Sequence, residues 1–247
     1  VFSHFVLFIV LISGYEWAKL SGISSFALRC GFAVVITLLT WAVHQYADAY
    51  VDLIIKLAAV SWVAITVYLK LSEPSSVNTS FNPIKLASSF MILPAAALAM
   101  RDIHGMSLLT GSSQGADWLF YALSLVWVAD IGAYFSGKNF GKHKLAPHIS
   151  PGKTIEGAIG GLTANLAIGV IGKAFFLPDL PWSLSILFFL AVGIAGQLGD
   201  LFESEMKRSS NIKDSSNILP GHGGILDRIY ALLFAAPVAY FLKVFIL

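Results

Sequence analysis

Charge is scarce in this chain. Only 12% of its 247 residues are Asp, Glu, Lys or Arg, about half the ~25% of an ordinary soluble domain. A soluble protein of this length could build a large core but could not cover it with so few charges. Cysteine is scarcer still. The one cysteine, Cys30, lies in an apolar run and is expected to be buried in helix packing. A lone cysteine excludes an intramolecular disulfide and a cysteine-based metal site. The formal net charge of +2 is too small for a nucleic-acid binder. No convincing repeat and no low-complexity tract is visible. What fills the chain instead is apolar: 57% of the residues are hydrophobic.

Those residues fall into about eight runs near the ~20 residues a membrane span needs. They cover 1–15, 27–45, 51–70, 84–100, 116–135, 155–177, 182–200 and 228–247. The sequence therefore predicts an all-α, polytopic membrane protein with about eight transmembrane helices. The chain opens at Val1, already inside an apolar run. It lacks the basic n-region and small-residue cleavage site of a secretory signal, and either an upstream segment is missing or the start was processed. The stretch LSEPSSVNTSFNP, ending at Pro83, is a polar connector rather than a domain boundary. Residues 1–115 form an N-terminal set of helices, and 116–247 a C-terminal set that carries the charged loops.

The bases cluster. Between Gly137 and Lys153 stand Lys138, Lys142, Lys144 and Lys153 with no acid, and after Asp200 come Lys207, Arg208, Lys213 and Arg228. Half of the sixteen Lys and Arg residues lie in these two loops. Two spans separate them, so they face one side, and the positive-inside rule makes that side cytoplasmic.

Charges inside the spans are costly and point to function. Asp130 interrupts an otherwise apolar run, and Tyr134 and Lys138 follow on the same helical face. Further on, Asp200, Glu203, Ser204, Lys207 and Arg208 make a polar stripe on a helix that extends an apolar span into the cytoplasm. Then SEMKRSSNIKDSSNILPGHGGILDRI, Ser204 to Ile229, concentrates bases, acids, His222 and three glycines between two apolar runs. Glycines permit positive φ and close backbone approach, and consecutive N–H groups can form an anion nest. Asp200 and Asp227 at the mouths of two spans suit a hard divalent cation, and the bases between them suit phosphate oxygens.

The other basic loop carries Ser150 and Pro151, which read as an N-cap followed by proline at the first helical position. Lys153 and Thr154 are then expected in the first turn, where free N–H groups favour an anion. The Gly152-Lys153-Thr154 triplet is not a P-loop, because Pro147 stands where that pattern needs glycine. Gly157 and Gly161 make a small-xxx-small pair suited to close helix packing. Among the six histidines, only His222 has a setting that suggests chemistry.

At this point the sequence resembles a known family. The run S-x-M-K-R-x4-K-D-x5-P-G-H-G-G-x-L-D-R is similar to the signature of phosphatidate cytidylyltransferases, or CDP-diacylglycerol synthases. DIGAYFSGKNFGKHKLAPHISPGKTIEG and YEWAKLSG resemble further blocks of the same family, in the same order. The resemblance implies a bacterial inner-membrane enzyme, usually with one more N-terminal hydrophobic segment and working as a homodimer. It would transfer CMP from CTP to phosphatidic acid with Mg2+, giving CDP-diacylglycerol and pyrophosphate, its active site facing the cytoplasm.

The resemblance puts the metal on Asp200 and Asp227. Lys207, Arg208, Lys213 and Arg228 would grip phosphates, and Asp214 and His222 would orient them or complete the metal shell. Ser150, Lys153, Thr154, Ser204, Gly223, Gly224, Asp130 and Tyr134 would bind substrate. The signature ends D-R-x-D, whereas this chain has Tyr230 at the final acid. A CTP-dependent lipid kinase would share nucleotide and metal but not the full glycine signature. A transporter would place charge near the midplane of two related halves, whereas here it gathers at one face.

Overall fold

Within a bilayer every backbone polar group must find its partner inside the protein, and a chain of long apolar runs does so by coiling each run into a helix. The computed structural model describes residues 1–71, 80–110, 114–178 and 180–246. Its helices are α1 Phe2–Leu20, α2 Phe26–Tyr46, α3 Asp48–Leu71, α4 Pro83–Thr110, α5 Gln114–Phe140, α6 Ile155–Phe176, α7 Trp182–Ser209 and α8 Leu226–Ile246. Each expected run is a helix. Six of them, α2 to α7, are long and apolar enough to cross a membrane among the described residues. Most of the polar connector before Pro83 lies outside the described residues.

Local chemistry sets several helix boundaries. The Ser25 hydroxyl accepts the Leu28 N–H and caps α2. Asn82 Oδ1 accepts the N–H groups of Ile84 and Lys85 at 3.0 Å each and caps α4. At the end of α7, Asn211 has φ 55°, and Asn211 and Ile212 return their N–H groups to Arg208 and Lys207. This is a Schellman stop with asparagine in the left-handed position usually held by glycine.

The loop between α5 and α6 departs from expectation. A two-stranded antiparallel hairpin forms there, β1 Lys144–Ala146 with β2 Ser150–Thr154. Ser150 and Pro151 therefore do not open a helix. The N-cap of α6 is Thr154, whose Oγ1 accepts the Gly157 N–H at 3.1 Å. Pairing of Lys144 with Thr154 and of Ala146 with Ser150 holds these residues extended, a conformation that Pro151 tolerates. Lys153 thus precedes the helix instead of sitting in its first turn.

Small residues bring the helices together, as expected without a hydrophobic drive between spans. A Cβ on Gly161 would stand 2.7 Å from the Ala129 carbonyl oxygen, and one on Gly157 2.9 Å from that of Ala133. α5 and α6 are accordingly in backbone contact. Between α7 and α8, a Cβ on Gly199 would meet the Tyr230 carbonyl at 2.8 Å. Trp17, Phe202, Tyr230 and Phe234 fill the space between α1, α7 and α8. Asn165 and Gln197 are turned inward onto the carbonyls of Leu125 and Ala158. Outward faces carry exposed Val34, Val35, Leu38, Leu57, Val60 and Val63, the inside-out pattern of a lipid-facing surface. Cys30 is half-buried rather than fully enclosed.

Candidate active site

Successive helices alternate in direction, so the C-terminal ends of α1, α5 and α7 meet the N-terminal ends of α4, α6 and α8. Three links show this: Trp17 Nε1 to the Lys85 carbonyl, Ser210 Oγ to the Leu20 carbonyl, and Lys153 to Asp200. At this shared end lies a cavity of about 510 Å3. Its wall comes from α5 (Asp130, Tyr134, Lys138), the hairpin (Leu145, Lys153, Thr154), α7 (Gln197, Asp200, Glu203) and α8 (Asp227, Arg228, Tyr230). Four carboxylates and three bases share one wall.

The charges interleave. Lys153 Nζ stands 2.7 Å from Asp200 Oδ2. Lys207, behind the wall, donates to Glu203 Oε1 at 2.7 Å and to Asp227 Oδ1 at 2.9 Å. Lys138 lies over the Tyr134 ring at 5.9 Å, one face of α5 with Asp130 as its spacing predicts. Arg228 donates through Nε and Nη2 to the His222 carbonyl at 3.2 and 2.5 Å, which ties the start of α8 across the glycine loop.

Asp227 is the most constrained of the carboxylates. Its Oδ2 accepts the Ser215 N–H at 3.0 Å, the Ser215 hydroxyl at 2.9 Å and the Gly224 N–H at 2.8 Å. That oxygen is saturated, and Oδ1 is left to Lys207. The PGHGG stretch builds this setting. Leu219 to His222 has the sequence and hydrogen bond of a type II turn, with Pro220 second and Gly221 third at φ 73°, where positive φ demands glycine. Gly223 follows at φ 84°, and a Cβ there would lie 2.7 Å from Asp227 Oδ2. A Cβ on Gly224 would strike Ser215 Oγ and the Glu16 carboxylate.

The profile of the cytidylyltransferase family matches residues 1–246. The chain belongs to that family. It is 36% identical to the phosphatidate cytidylyltransferase of Haemophilus influenzae, over 97% of this chain and 88% of that protein. To the Pseudomonas aeruginosa protein of the same name it is 40% identical over 96% of this chain and 85% of that one. With the Bacillus subtilis phosphatidate cytidylyltransferase it shares 43% identity over 62% of this chain and 57% of that protein.

Of the residues singled out in the sequence, this cytidylyltransferase brings Asp130, Tyr134, Lys153, Thr154, Asp200, Asp227 and Arg228 onto one cavity wall. Lys207 stands directly behind it. Ser204 returns its hydroxyl to the Asp200 carbonyl at 2.9 Å, and Ser150 lies in β2 off the wall. Arg208, Lys213, Asp214 and His222 are exposed around the loop and do not line the cavity. Gly223 and Gly224 stand behind Asp227, and the Gly224 N–H is given to that carboxylate. Tyr230, at the departing signature position, is buried against Trp17 with its hydroxyl toward Met206 Sδ.

Sequence reasoning left Glu203 without a role, although it faces Lys207 one turn away. Buried at 3% exposure, it shares that ammonium with Asp227. It also passed over Glu16, the acid that directly follows the first apolar run.

Among the described residues no three His, Cys, Asp or Glu side chains converge to make a metal site alone. Mg2+ is commonly held by one or two carboxylates together with substrate phosphates and water. Asp200 and Asp227, hard oxygen donors on one wall, fit that requirement.

Proposed function

We propose that this protein is a phosphatidate cytidylyltransferase, transferring CMP from CTP to phosphatidic acid and releasing pyrophosphate. The observation that carries the reading is the wall itself: carboxylates and ammonium groups interleaved in one cavity, at the charged end of a bundle whose flanks are apolar. CTP reaches such a site from water, and a diacyl lipid reaches it from the leaflet. The clustered bases support a cytoplasmic position for that end in a bacterial inner membrane. The homodimer implied by the resemblance belongs to the same proposal and is read out by molar mass in detergent.

The reaction asks little proton chemistry of the chain. Phosphatidic acid is a phosphate monoester, and with a second pKa near 6 it is largely dianionic at neutral pH. One of its oxygens forms the new bond to the α-phosphorus of CTP, and the bond from that phosphorus to the bridging oxygen of pyrophosphate breaks. The obstacles are charge repulsion and alignment. Lys153 and Arg228 on the cavity wall would offset the charge of the phosphate oxygens, with Lys207 behind them neutralising Glu203 and Asp227, a contribution that preorganised groups make without reorganisation during reaction. Asp200 and Asp227 would hold Mg2+, which supplies Lewis-acid stabilisation of phosphoryl oxygens.

The test is incubation of the purified protein in detergent with phosphatidic acid, Mg2+ and CTP labelled at either the α or the γ phosphate. Label from the α-phosphate is expected in lipid. Transfer of γ-label alone would replace this reading with a lipid kinase.

A further inference from the structure

Glu16 is fully buried, at 0% exposure, yet its partners are all N–H and O–H donors rather than bases. Its carboxylate accepts the Ser216 hydroxyl at 2.5 Å, the Ile225 N–H at 3.1 Å and the Leu226 N–H at 2.7 Å, and the Ser215 hydroxyl oxygen lies 3.3 Å away. Ile225 and Leu226 open α8, where backbone N–H groups have no helical acceptor and an anion is favoured. A carboxylate taken out of water is costly unless donors replace its hydration. Three donors do so here, all from the loop and helix start that carry Asp227.

The link to Asp227 is direct. The Ser215 hydroxyl lies 2.9 Å from Asp227 Oδ2 and 3.3 Å from Glu16 Oε2. A hydroxyl has one proton to donate, and the shorter distance assigns it to Asp227. Glu16 therefore holds Ser216, Ile225 and Leu226, and crowds Ser215 against Asp227. The end of α1 is fastened to the same loop by Lys19 Nζ on the Ser215 carbonyl at 2.8 Å.

We propose that Glu16 is a positioning residue for the cytidylyltransferase site. It clamps the 215–226 segment from beneath, so that Asp227 keeps Oδ2 saturated and Oδ1 on Lys207 at the cavity wall. The consequence for turnover rests on the function proposed above, whereas the clamp does not.

The experiment compares the full-length protein with its Glu16→Gln and Ser216→Ala variants in detergent. Gln keeps the shape but puts an NH2 group against N–H and O–H donors. In folded Glu16→Gln, amide exchange over 223–228 is expected to accelerate about tenfold, and kcat to fall about tenfold, the scale of one bond to a charged group. The KM for phosphatidic acid should stay unchanged, and kcat is taken per folded protein, because loss of folded protein alone would also lower apparent kcat at constant KM. Ser216→Ala loosens Glu16 without touching Asp227 and should shift both readouts in the same direction by less. Wild-type exchange and kcat in folded Glu16→Gln overturn the proposal, as does an activity loss that merely follows the folded fraction. Where Glu16→Gln does not fold, wild-type exchange and kcat in Ser216→Ala overturn it. A wild-type protein that forms no lipid-linked cytidylate overturns the proposed function instead, and exchange alone then decides the clamp.

Discussion

Lys153 Nζ, at the end of the β-hairpin, meets Asp200 Oδ2 of α7 at 2.7 Å across the mouth of the cavity. Both side chains keep contact with solvent, at 25% and 43% exposure, so the pair contributes little to stability. Its importance is placement, since it brings the hairpin over the acids of α7.

Lys153→Ala is accordingly expected to leave thermal unfolding within a degree or two of wild type and to cut kcat/KM. Loss of one hydrogen bond to a charged group is worth about 1.5–3 kcal/mol, which is roughly 10- to 150-fold in rate. Steady-state kinetics beside a melting curve separates the two effects. A large fall in melting temperature would make the pair structural instead.

Asp200→Asn and Asp227→Asn should both abolish turnover, but only the second should weaken the fold. Asp200 makes one solvent-exposed ion pair, whereas Asp227 is 7% exposed with four donors around it. Breaking a buried pair costs roughly 3–5 kcal/mol, and Lys207 keeps Glu203, so the lower end applies. Denaturant titration of the two variants reads the difference. EDTA should inactivate the wild type and excess Mg2+ restore it.

The two positive-φ glycines of the loop should behave oppositely. At Gly221 nothing lies within 4 Å of an added Cβ, so Gly221→Ala bears only the left-handed backbone cost of about 1–2 kcal/mol and keeps its activity. At Gly223 the Cβ meets Asp227 Oδ2. Gly223→Ala should therefore lower kcat at least as far as Lys207→Ala does, without changing any charge. Equal activity in Gly221→Ala and Gly223→Ala would reduce the stretch to an ordinary turn.

Helix packing offers a further check away from the chemistry. Gly161→Ala forces a methyl group against the Ala129 carbonyl, and overpacking of this kind costs about 1–3 kcal/mol. Gly31→Ala meets nothing within 4 Å and should be neutral or slightly stabilising in the same melting assay.

Much of this was legible along the chain because it depends on neighbours in sequence. Runs of apolar residues near span length predict eight helices, and the charges of the Ser204–Arg228 stretch mark the working end. Asp130, Tyr134 and Lys138 share a face by helical period alone, and the structure finds all three on the cavity wall. Where local signals compete, the reading failed. Ser150 before Pro151 is a good capping pair in isolation, yet strand pairing with 144–146 moved the start of α6 to Ile155.

The sequence by itself thus determined the class of the protein, its helices, and the stretch where charge gathers at one end of the bundle. Tertiary structure alone decided which charges meet. Glu203 and Asp227 share Lys207 only because α7 and α8 pack side by side. Glu16 reaches Leu226 across 210 positions of sequence. Periodicity reports which face of a helix is apolar, because that is set by residues three or four apart. Which helix lies opposite, and whether its carboxylate finds donors or a base, depends on packing between segments that no local pattern encodes.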